Sequence, residues 1–275
     1  MTGFANDDRV TFDSTVYCGS CTACLRGQVN LCEHRQVLGV SCTDYRRPGA
    51  FAEYVAVPSH TVHRLPDNLS FEEAAMLEPL SVALHAVSLA PVRAGDTALV
   101  VGAGMIGLLL VQVLSAAGCS RIFVADLDQS RLDLARTVGA TDVIAAGTDP
   151  AEAVLQHTRG TGVDVAMEAV GRTETVQASI DSVRKGGTVV LVGNVAPEVA
   201  LPLQKVVTRQ IRLQGSCASA GEYPRAIELL ASGALQVRPL ITAVAPLDHG
   251  PHWFARLYAR EPHLMKVILT PGERT

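Results

Sequence analysis

The sequence predicts an α/β fold built on a doubly wound parallel sheet, and three observations support this fold class. Apolar runs rich in β-branched residues alternate with segments of helical spacing from residue 97 to residue 216, as in a parallel sheet covered by helices. A glycine-rich turn, Gly102-Ala-Gly-Met-Ile-Gly107, follows the first of these runs. An acidic residue, Asp126, closes the second run.

The glycine turn has the G-x-G-x-x-G spacing of a dinucleotide-binding (Rossmann) strand–turn–helix unit. Gly102 allows the tight turn, Gly104 lets the backbone approach a pyrophosphate, and Gly107 permits close packing of helix on strand. Met105 and Ile106 open the following helix, whose N-terminal N–H groups and dipole favour phosphate. These five positions are therefore predicted to bind the cofactor.

Asp126 lies 19 residues after Gly107, where a carboxylate accepts hydrogen bonds from the ribose hydroxyls of an adenosine. Because a carboxylate there repels a 2′-phosphate, the sequence favours NAD over NADP. One alternative is a glycine motif that arose by chance. Another is a membrane span, since residues 97–120 include no charged residue. Glycines crowd the first third of that stretch, and buried parallel strands also form continuous apolar runs, so the βαβ unit is favoured.

The alternation after Asp126 predicts a helix capped by Asp128 or Ser130, further helices over 150–158 and 173–184, and later strands. In such a sheet, ligands bind at the carboxyl ends of the strands near the point where the strand order reverses. Four residues at the ends of predicted strands are therefore candidates for binding the nicotinamide half of the cofactor: Val170, Val192, Gly193 and Asn194.

Composition bounds the class of protein. The chain has 275 residues, of which 48% are hydrophobic and 18% charged, with a net charge of −4. This balance is typical of a globular protein with a large core, and it argues against a nucleic-acid partner. The N-terminal residues show no apolar run typical of a signal peptide. We therefore expect a cytoplasmic protein that acts on a small molecule.

Four of the seven cysteines form a tight cluster: Cys18, Cys21, Cys24 and Cys32. Four thiolates joined by short turns suit tetrahedral Zn²⁺. Because protein ligands would fill all four positions, this zinc would be structural rather than catalytic. An iron–sulfur site and a reduced cysteine-rich loop are the alternatives. Cys42 is interpreted as an ordinary thiol, and His60 and His63 as surface residues.

With these motifs in place, the chain resembles the zinc-dependent medium-chain dehydrogenases of the alcohol dehydrogenase superfamily. The resemblance rests on Asp8-Arg9-Val10, the cysteine cluster, Gly49-Ala-Phe-Ala-Glu53-Tyr54 and the glycine turn, which follow the order and spacing of that family. The segment Glu78-Pro79-Leu80-Ser81-Val82 resembles the sorbitol and polyol dehydrogenase branch. The resemblance implies that part of a β-rich, GroES-like catalytic domain accompanies the Rossmann domain.

The resemblance also assigns roles to residues. Glu78 matches the late carboxylate of the catalytic zinc site in polyol dehydrogenases, and Arg131 matches an arginine that lies against the adenosine. Ser216 and Cys217 match a further cofactor-contact position, and a homo-oligomer is implied. Locally, Ser70-x-x-Glu73 predicts a capping box, and Pro79 favours a new helix start beside Glu78.

Two departures from the family pattern are visible. Family members carry an earlier segment with a catalytic-zinc cysteine, a relay serine or threonine and a His-Glu pair, and we expect that segment to be missing here. The position at which sorbitol dehydrogenases place an arginine near the substrate is Ala218, so sorbitol itself is in doubt. A catalytically incomplete NAD- and zinc-binding remnant and a zinc-free quinone reductase relative are the alternative functions.

These observations predict three regions: a partial GroES-like domain with the zinc lobe over 1–80, an NAD-binding Rossmann domain over 81–219, and a C-terminal return to the catalytic domain over 220–275. The expected function is zinc-dependent hydride transfer from a secondary alcohol or polyol to NAD. The expected cofactors are a structural Zn²⁺ and NAD, with a catalytic zinc site left incomplete.

Overall fold

The computed structural model describes residues 3–40 and 43–272, so Cys42 lies outside the described residues. The chain divides into two compact units. One comprises Met1–Ser81 together with Ala218–Thr275, and we call it the split unit. The other is Val82–Cys217, which we call the sheet unit because one large sheet runs through it.

The first segment of the split unit consists of short elements. In chain order these are β1 (Val10–Phe12), β2 (Thr15–Val16), α1 (Thr22–Leu25), β3 (Gln36–Leu38), β4 (Arg46–Arg47), β5 (Val62–Arg64), α2 (Phe71–Ala74) and the start of α3 (Leu77–Ser88), whose residues from Val82 onward belong to the sheet unit, with 3₁₀ turns at Val29–Leu31, Thr43–Tyr45 and Ser59–Thr61. In the described part of this segment β1 pairs with β5, and β3 lies between β2 and β4. The described residues of this segment form sheets of two and three strands.

The helix signals around residue 70 are confirmed. The Ser70 Oγ accepts a hydrogen bond from the Glu73 N–H at 3.2 Å, and the Glu73 carboxylate accepts one from the Ser70 N–H at 3.1 Å. These bonds satisfy two backbone donors that a helix start would otherwise leave unpaired. Pro79 lies in the first turn of α3, where its missing N–H costs no helical hydrogen bond. The new helix begins at Leu77, as Pro79 predicted to within two residues.

The sheet unit contains six parallel strands, all within residues that the structure describes. Its elements are β6 (Thr97–Val101), α4 (Met105–Ala116), β7 (Arg121–Ala125), α5 (Gln129–Thr137), β8 (Asp142–Ile144), α6 (Pro150–His157), β9 (Val163–Glu168), α7 (Thr173–Ser182), β10 (Val183–Leu191), α8 (Leu203–Thr208) and β11 (Arg212–Gly215). The spatial order is β8-β7-β6-β9-β10-β11, with every pair parallel. This is the doubly wound order, and it reverses between β6 and β9.

The strands of the sheet unit are apolar on both faces because the side chains on both faces are buried. Leu99, Phe123 and Ala166 come from three adjacent strands and are almost fully buried. Helix α4 packs onto the sheet with Leu108 and Leu109 completely buried, and each such side chain contributes about 1.5–3 kcal/mol. Among the described residues, no helix is both long enough and apolar enough to cross a membrane. The charge-free stretch is instead a strand followed by a helix.

The chain then returns to the split unit, which contains α9 (Tyr223–Ala231), β12 (Ile241–Pro246), α10 (Gly250–Tyr258) and β13 (Lys266–Thr270). A 3₁₀ turn at Arg238–Leu240 precedes β12 and another at Leu247–His249 precedes α10. Strands β12 and β13 pair in parallel. Helix α10 carries Pro251 in its first turn, where a proline costs no helical hydrogen bond.

Candidate cofactor and metal sites

Two glycines of the turn are required by packing. Gly102 has a φ of +98°, and a Cβ there would lie 2.7 Å from the Val170 Cγ2. A Cβ at Gly107 would lie 1.8 Å from the Gly102 carbonyl oxygen, so α4 rests directly on the turn. A Cβ at Gly104 would meet nothing within 4 Å. Packing within the protein therefore explains the glycines at positions 102 and 107 but not the glycine at position 104.

Helix α4 begins directly after Gly104, which makes no side-chain cap hydrogen bond. Met105 and Ile106 occupy its first two positions. In such a helix the first-turn N–H groups lack intrahelical acceptors, and the dipole adds positive potential. An open glycine surface beside an uncapped twelve-residue helix fits a pyrophosphate.

Asp126 is tied to the turn by hydrogen bonds. Its Oδ2 accepts from the Ala103 N–H at 2.6 Å, and its Oδ1 accepts from the Asp128 N–H at 2.9 Å. The carboxylate therefore lies beside the glycine turn, where a bound ribose would be expected. Asp128 caps α5 by accepting from the Ser130 N–H at 2.8 Å, so it is the N-cap residue.

Arg131, in the first turn of α5, lies 3.7 Å from the Asp128 carboxylate through its Nε. Both side chains are more than 40% exposed, so this ion pair is weak and leaves the guanidinium largely hydrated. The structure thus places Arg131 near the end of β7 and does not hold it in a rigid network.

The strand-end candidates come together after β9 and β10. A Cβ at Gly193 would lie 2.2 Å from the backbone nitrogen of Val170, and a Cβ at Gly171 would lie 2.4 Å from that of Asn194. The two loops therefore touch backbone to backbone, which only glycine permits. Val192 directly follows β10 and donates its N–H to the Glu168 carbonyl at 2.8 Å.

Ser216 and Cys217 follow β11, at the same edge of the sheet. The Ser216 N–H donates to the Leu191 carbonyl at 2.9 Å, which fixes the residue beside β10. Its Oγ is buried and has no hydrogen-bond partner among the described residues. Burying a hydroxyl without a partner is costly, so an acceptor or donor from a bound ligand fits this position. Cys217 is exposed.

Sequence reasoning missed Glu168, the last residue of β9, which is completely buried. Its carboxylate accepts hydrogen bonds from the N–H groups of Val170 and Gly171. The available signal was an acid directly after the apolar run Val165 to Met167, because a carboxylate buried there requires hydrogen-bond donors.

The four clustered cysteines have the geometry of a metal site. Their Sγ atoms all lie within 4.8 Å of one another. The Cys18–Cys24 and Cys21–Cys32 sulfur pairs are 4.0 and 3.9 Å apart. Tetrahedral Zn–S bonds of about 2.3 Å imply sulfur separations of about 3.8 Å. The donor set therefore fits Zn²⁺.

Backbone donors favour the thiolate form of Cys18, whereas burial raises the pKa of the Cys24 thiol. The N–H groups of Ser20 and Cys21 approach the Cys18 Sγ at 3.5 and 3.3 Å and lower the pKa of that thiol. The N–H groups of Cys18 and His34 both approach the Cys32 Sγ at 3.3 Å. Since zinc binds the deprotonated sulfur, these contacts prepare the site for the metal.

Glu78 lies exposed in the first turn of α3. Surrounding protein still removes enough water to raise the pKa of its carboxyl, while the nearby Lys266 opposes that rise. Within the described residues, the cysteine cluster is the one group of three or more potential metal ligands. No second set of ligands among these described residues therefore accompanies Glu78.

The interpretation of His63 as a surface residue is wrong. Its ring stacks on Tyr223, with centroids 5.3 Å apart, and partial burial lowers its pKa. Tyr223 is itself only 1% exposed, and the carboxylates of Asp13 and Glu78 add to the effect of burial in raising its pKa. The stacking partner lies 160 residues away along the chain, which local patterns do not reveal. His60 is exposed, as predicted.

Comparison with known proteins gives two matching sequence families. A family described as "Zinc-binding dehydrogenase" matches residues 106–232, and one described as "Alcohol dehydrogenase GroES-like domain" matches residues 1–67. The chain is 38% identical to the L-idonate 5-dehydrogenase of Vitis vinifera over 86% of its own length and 64% of that relative. It is 35% identical to the sorbitol dehydrogenase of Bacillus subtilis over 98% of its own length and 76% of that relative.

Solved structures of similar fold include two with a bound cofactor. A zinc-binding dehydrogenase from Sinorhizobium meliloti bound to NADP has a TM-score of 0.89 and 32% identity, and the match covers 98% of this chain and 79% of that one. An alcohol dehydrogenase from Escherichia coli CFT073 complexed with NADH has a TM-score of 0.89 and 27% identity, covering 96% of this chain and 77% of that one. The α/β fold with a GroES-like part is thereby confirmed.

Proposed function

The chain belongs to the family of zinc-binding dehydrogenases, and we propose that it serves hydride transfer between a secondary alcohol or polyol and NAD. It spans 64% of the length of the L-idonate 5-dehydrogenase that it matches. The observation that carries the proposal is the doubly wound sheet, whose strand order reverses beside Gly102 and Asp126. That is where this fold binds a dinucleotide.

The residues of the sheet unit would hold the two halves of NAD. The turn residues and α4 receive the pyrophosphate, and Asp126 receives the adenosine ribose and discriminates against a 2′-phosphate. Arg131 lies against the adenosine. Nicotinamide binds at the strand ends after β9, β10 and β11, where the contact residues are Val170, Val192, Gly193, Asn194, Ser216 and Cys217. When bound, NAD accepts the hydride at its nicotinamide ring.

The cysteine cluster would hold one structural zinc ion, with all four ligands from Cys18, Cys21, Cys24 and Cys32. Such a site leaves no coordination position for substrate, so its contribution is to the stability of the split unit. Because the four sulfurs already lie at zinc-like separations, little rearrangement is needed on binding.

Glu78 would be the carboxylate nearest to a catalytic metal in this chain. Catalytic zinc sites use three protein ligands, and the described residues do not supply such a set. We therefore assign no reaction step to a second zinc ion. The same observation favours a second candidate function, a protein that binds NAD and one zinc ion without turnover.

Metal analysis and cofactor binding together test these proposals. Purified protein should contain one zinc per chain and should quench or shift NADH fluorescence on binding, with weaker binding of NADPH. Formation of NADH from NAD and a panel of polyols, including sorbitol and L-idonate, then separates an active dehydrogenase from the binding-only alternative. Absence of NADH binding would refute both functions, whereas two tightly bound zinc ions would refute the binding-only alternative.

Oligomeric state and location complete the proposal. Related enzymes suggest a homo-oligomer, a dimer or tetramer, that works in the cytoplasm on a small molecule without nucleic acid or membrane partners. Light scattering on the purified protein measures its oligomeric state. A monomer at all micromolar concentrations would contradict the proposed homo-oligomer.

A further inference from the structure

Glu168 occupies the point in the sheet where the strand order reverses. It pairs in register with Val101 of β6 on one side and with Leu191 of β10 on the other. Its side chain is 0% exposed, so a carboxylate is buried in a largely apolar strand. A buried carboxylate persists only when donors compensate for lost hydration, so its partners reveal its role.

The carboxylate of Glu168 holds the loop that follows β9. One oxygen accepts from the Val170 N–H at 3.0 Å and from the Gly171 N–H at 2.8 Å, and the other accepts from the Gly171 N–H at 3.0 Å. These are charge-assisted bonds to backbone donors, which are stronger than neutral ones. They fold the chain back onto the residue that ends the strand.

The backbone of Glu168 holds the loop that follows β10. Its carbonyl accepts from the Val192 N–H at 2.8 Å and from the Gly193 N–H at 3.0 Å. One residue therefore ties two loops at the same end of the sheet. The close backbone approach of Gly171 to Asn194 leaves these loops little room to move independently.

The first loop also abuts the glycine turn. The Ala169 N–H donates to the Val101 carbonyl at 2.9 Å, and Val170 packs against Gly102 closely enough to exclude a Cβ there. A displacement of the loop after β9 would therefore also move the side of the glycine turn that faces the nicotinamide half of the cofactor. The adenosine side, where Asp126 ties Ala103, has separate hydrogen bonds.

We propose that Glu168 is a positioning residue that sets the two loops receiving the nicotinamide half of NAD, through the hydrogen bonds its carboxylate and carbonyl accept. This inference rests on the proposed binding of NAD. It assigns a specific consequence to the buried carboxylate: loss of its charge should weaken binding of the nicotinamide half more than binding of the adenosine and pyrophosphate.

The experiment uses the full chain with Glu168→Gln and two probes, NADH and ADP. Glutamine keeps the size of the side chain but replaces one acceptor oxygen by an NH₂ donor, which then faces the Gly171 N–H. Affinity for NADH is expected to fall about tenfold, while affinity for ADP changes less than about twofold. Glu174→Gln is the matched control, since Glu174 is exposed in the first turn of α7, and it should leave both affinities unchanged.

A merely structural role would lower both affinities together, or would lower the melting temperature without changing the ratio of NADH to ADP affinity. Either result overturns the inference. A ratio of NADH to ADP affinity that is the same in Glu168→Gln as in a wild-type protein that binds NADH also overturns it. If Glu168→Gln does not fold, Glu168→Asp replaces it, because the shorter carboxylate withdraws from the same N–H groups and should lower the same ratio. Failure of the wild-type chain to bind NADH refutes the proposed function itself, which distinguishes the two failures.

Discussion

The sheet unit and the split unit are stabilised in different ways. In the sheet unit, strands of three to nine residues form one continuous parallel sheet with a buried apolar core. In the described part of the split unit, sheets have only two or three strands, and fewer apolar side chains are buried than in the sheet unit. The sheet unit is therefore stabilised mainly by hydrophobic burial, which the split unit has far less of.

The split unit has a smaller core, in which Met76, Leu80 and Tyr223 are almost fully buried, and it adds specific hydrogen bonds and the cysteine cluster. Arg9 donates to the carbonyls of Pro66 and Leu69 at 2.7 and 2.5 Å, and Arg35 donates to the Asn30 carbonyl at 2.5 Å. Together with the cysteine cluster, these contacts connect segments that share little core. Small cores are commonly supplemented by a structural metal. The comparison predicts that metal loss damages one unit and that packing changes damage the other.

The largest effect is expected from removal of a zinc ligand. Cys32→Ser should reduce the zinc content from one per chain to almost none, because structural zinc contributes about 10–16 kcal/mol of apparent binding energy in small peptides. Residues 15–40 should become sensitive to limited proteolysis, while NADH binding by the sheet unit persists. Cys119→Ser is the control, since Cys119 lies in the sheet unit outside the cluster. A full zinc content in Cys32→Ser would contradict the proposed ligand set.

The second effect concerns packing within the sheet unit. Gly107→Ala should destabilise the fold by about 3 kcal/mol, because its methyl would overlap the Gly102 carbonyl and displace α4. Gly104→Ala should leave the melting temperature unchanged, since its methyl meets no protein atom, yet it should weaken NADH binding. Thermal melts and NADH titrations of the two variants separate fold from ligand contact. Equal loss of stability in both would contradict the division of roles.

A third, smaller effect is the pH dependence caused by Asp13 in the split unit. This side chain is 6% exposed, and burial raises the pKa of its carboxyl to about 6. Because the folded state then binds the proton more tightly than the unfolded chain, its contribution to stability falls as pH rises from about 4 to about 6. The loss is at most about 3 kcal/mol by neutral pH.

Asp13→Asn should remove that dependence and stabilise the protein at pH 7. The asparagine oxygen retains the acceptor for the Thr15 N–H, which lies 2.8 Å from the carboxylate in the wild type. Urea unfolding of both proteins at several pH values measures the difference in their free energies of unfolding. A difference that stays constant between pH 4 and pH 7 would show that Asp13 does not titrate as described.

The smallest effect concerns cofactor choice in the sheet unit. Asp126→Asn should weaken NADH binding about tenfold, or about 1.4 kcal/mol, and should narrow the preference for NADH over NADPH. Loss of the negative charge removes repulsion of a 2′-phosphate. Asp133→Asn is the control, because Asp133 is exposed on α5 and pairs with Gln129 and Arg136 of the same helix. An undiminished preference for NADH in Asp126→Asn would contradict the assigned role.

Much of the fold was predictable because its signals are local. The strand–turn–helix order around Gly102, the capping box at Ser70 and the cap at Asp128 each depend on residues within a few positions of one another. The alternation of strands and helices predicted the parallel sheet, which is confirmed. Membership of the zinc-binding dehydrogenases likewise agrees with the resemblance seen in the motifs.

Other features were missed where distant segments decide them. Strand β10 begins at Val183, inside the helix predicted over 173–184, and its register with β9 shifts between Val183 and Thr188. Gly186 and Gly187 within it obscure the strand pattern. His63 is half-buried because Tyr223, far along the chain, stacks on it.

The sequence by itself determined the doubly wound unit and the zinc-type cysteine cluster, because residue periodicity and ligand spacing act over short stretches. Only the tertiary structure decided that Glu168 ties two loops and that Asp13 is buried, with its pKa raised. Both depend on strands and helices that meet only after folding. The energetic consequence of a carboxylate is set by its neighbours and its hydration, and neither is encoded in the residue itself.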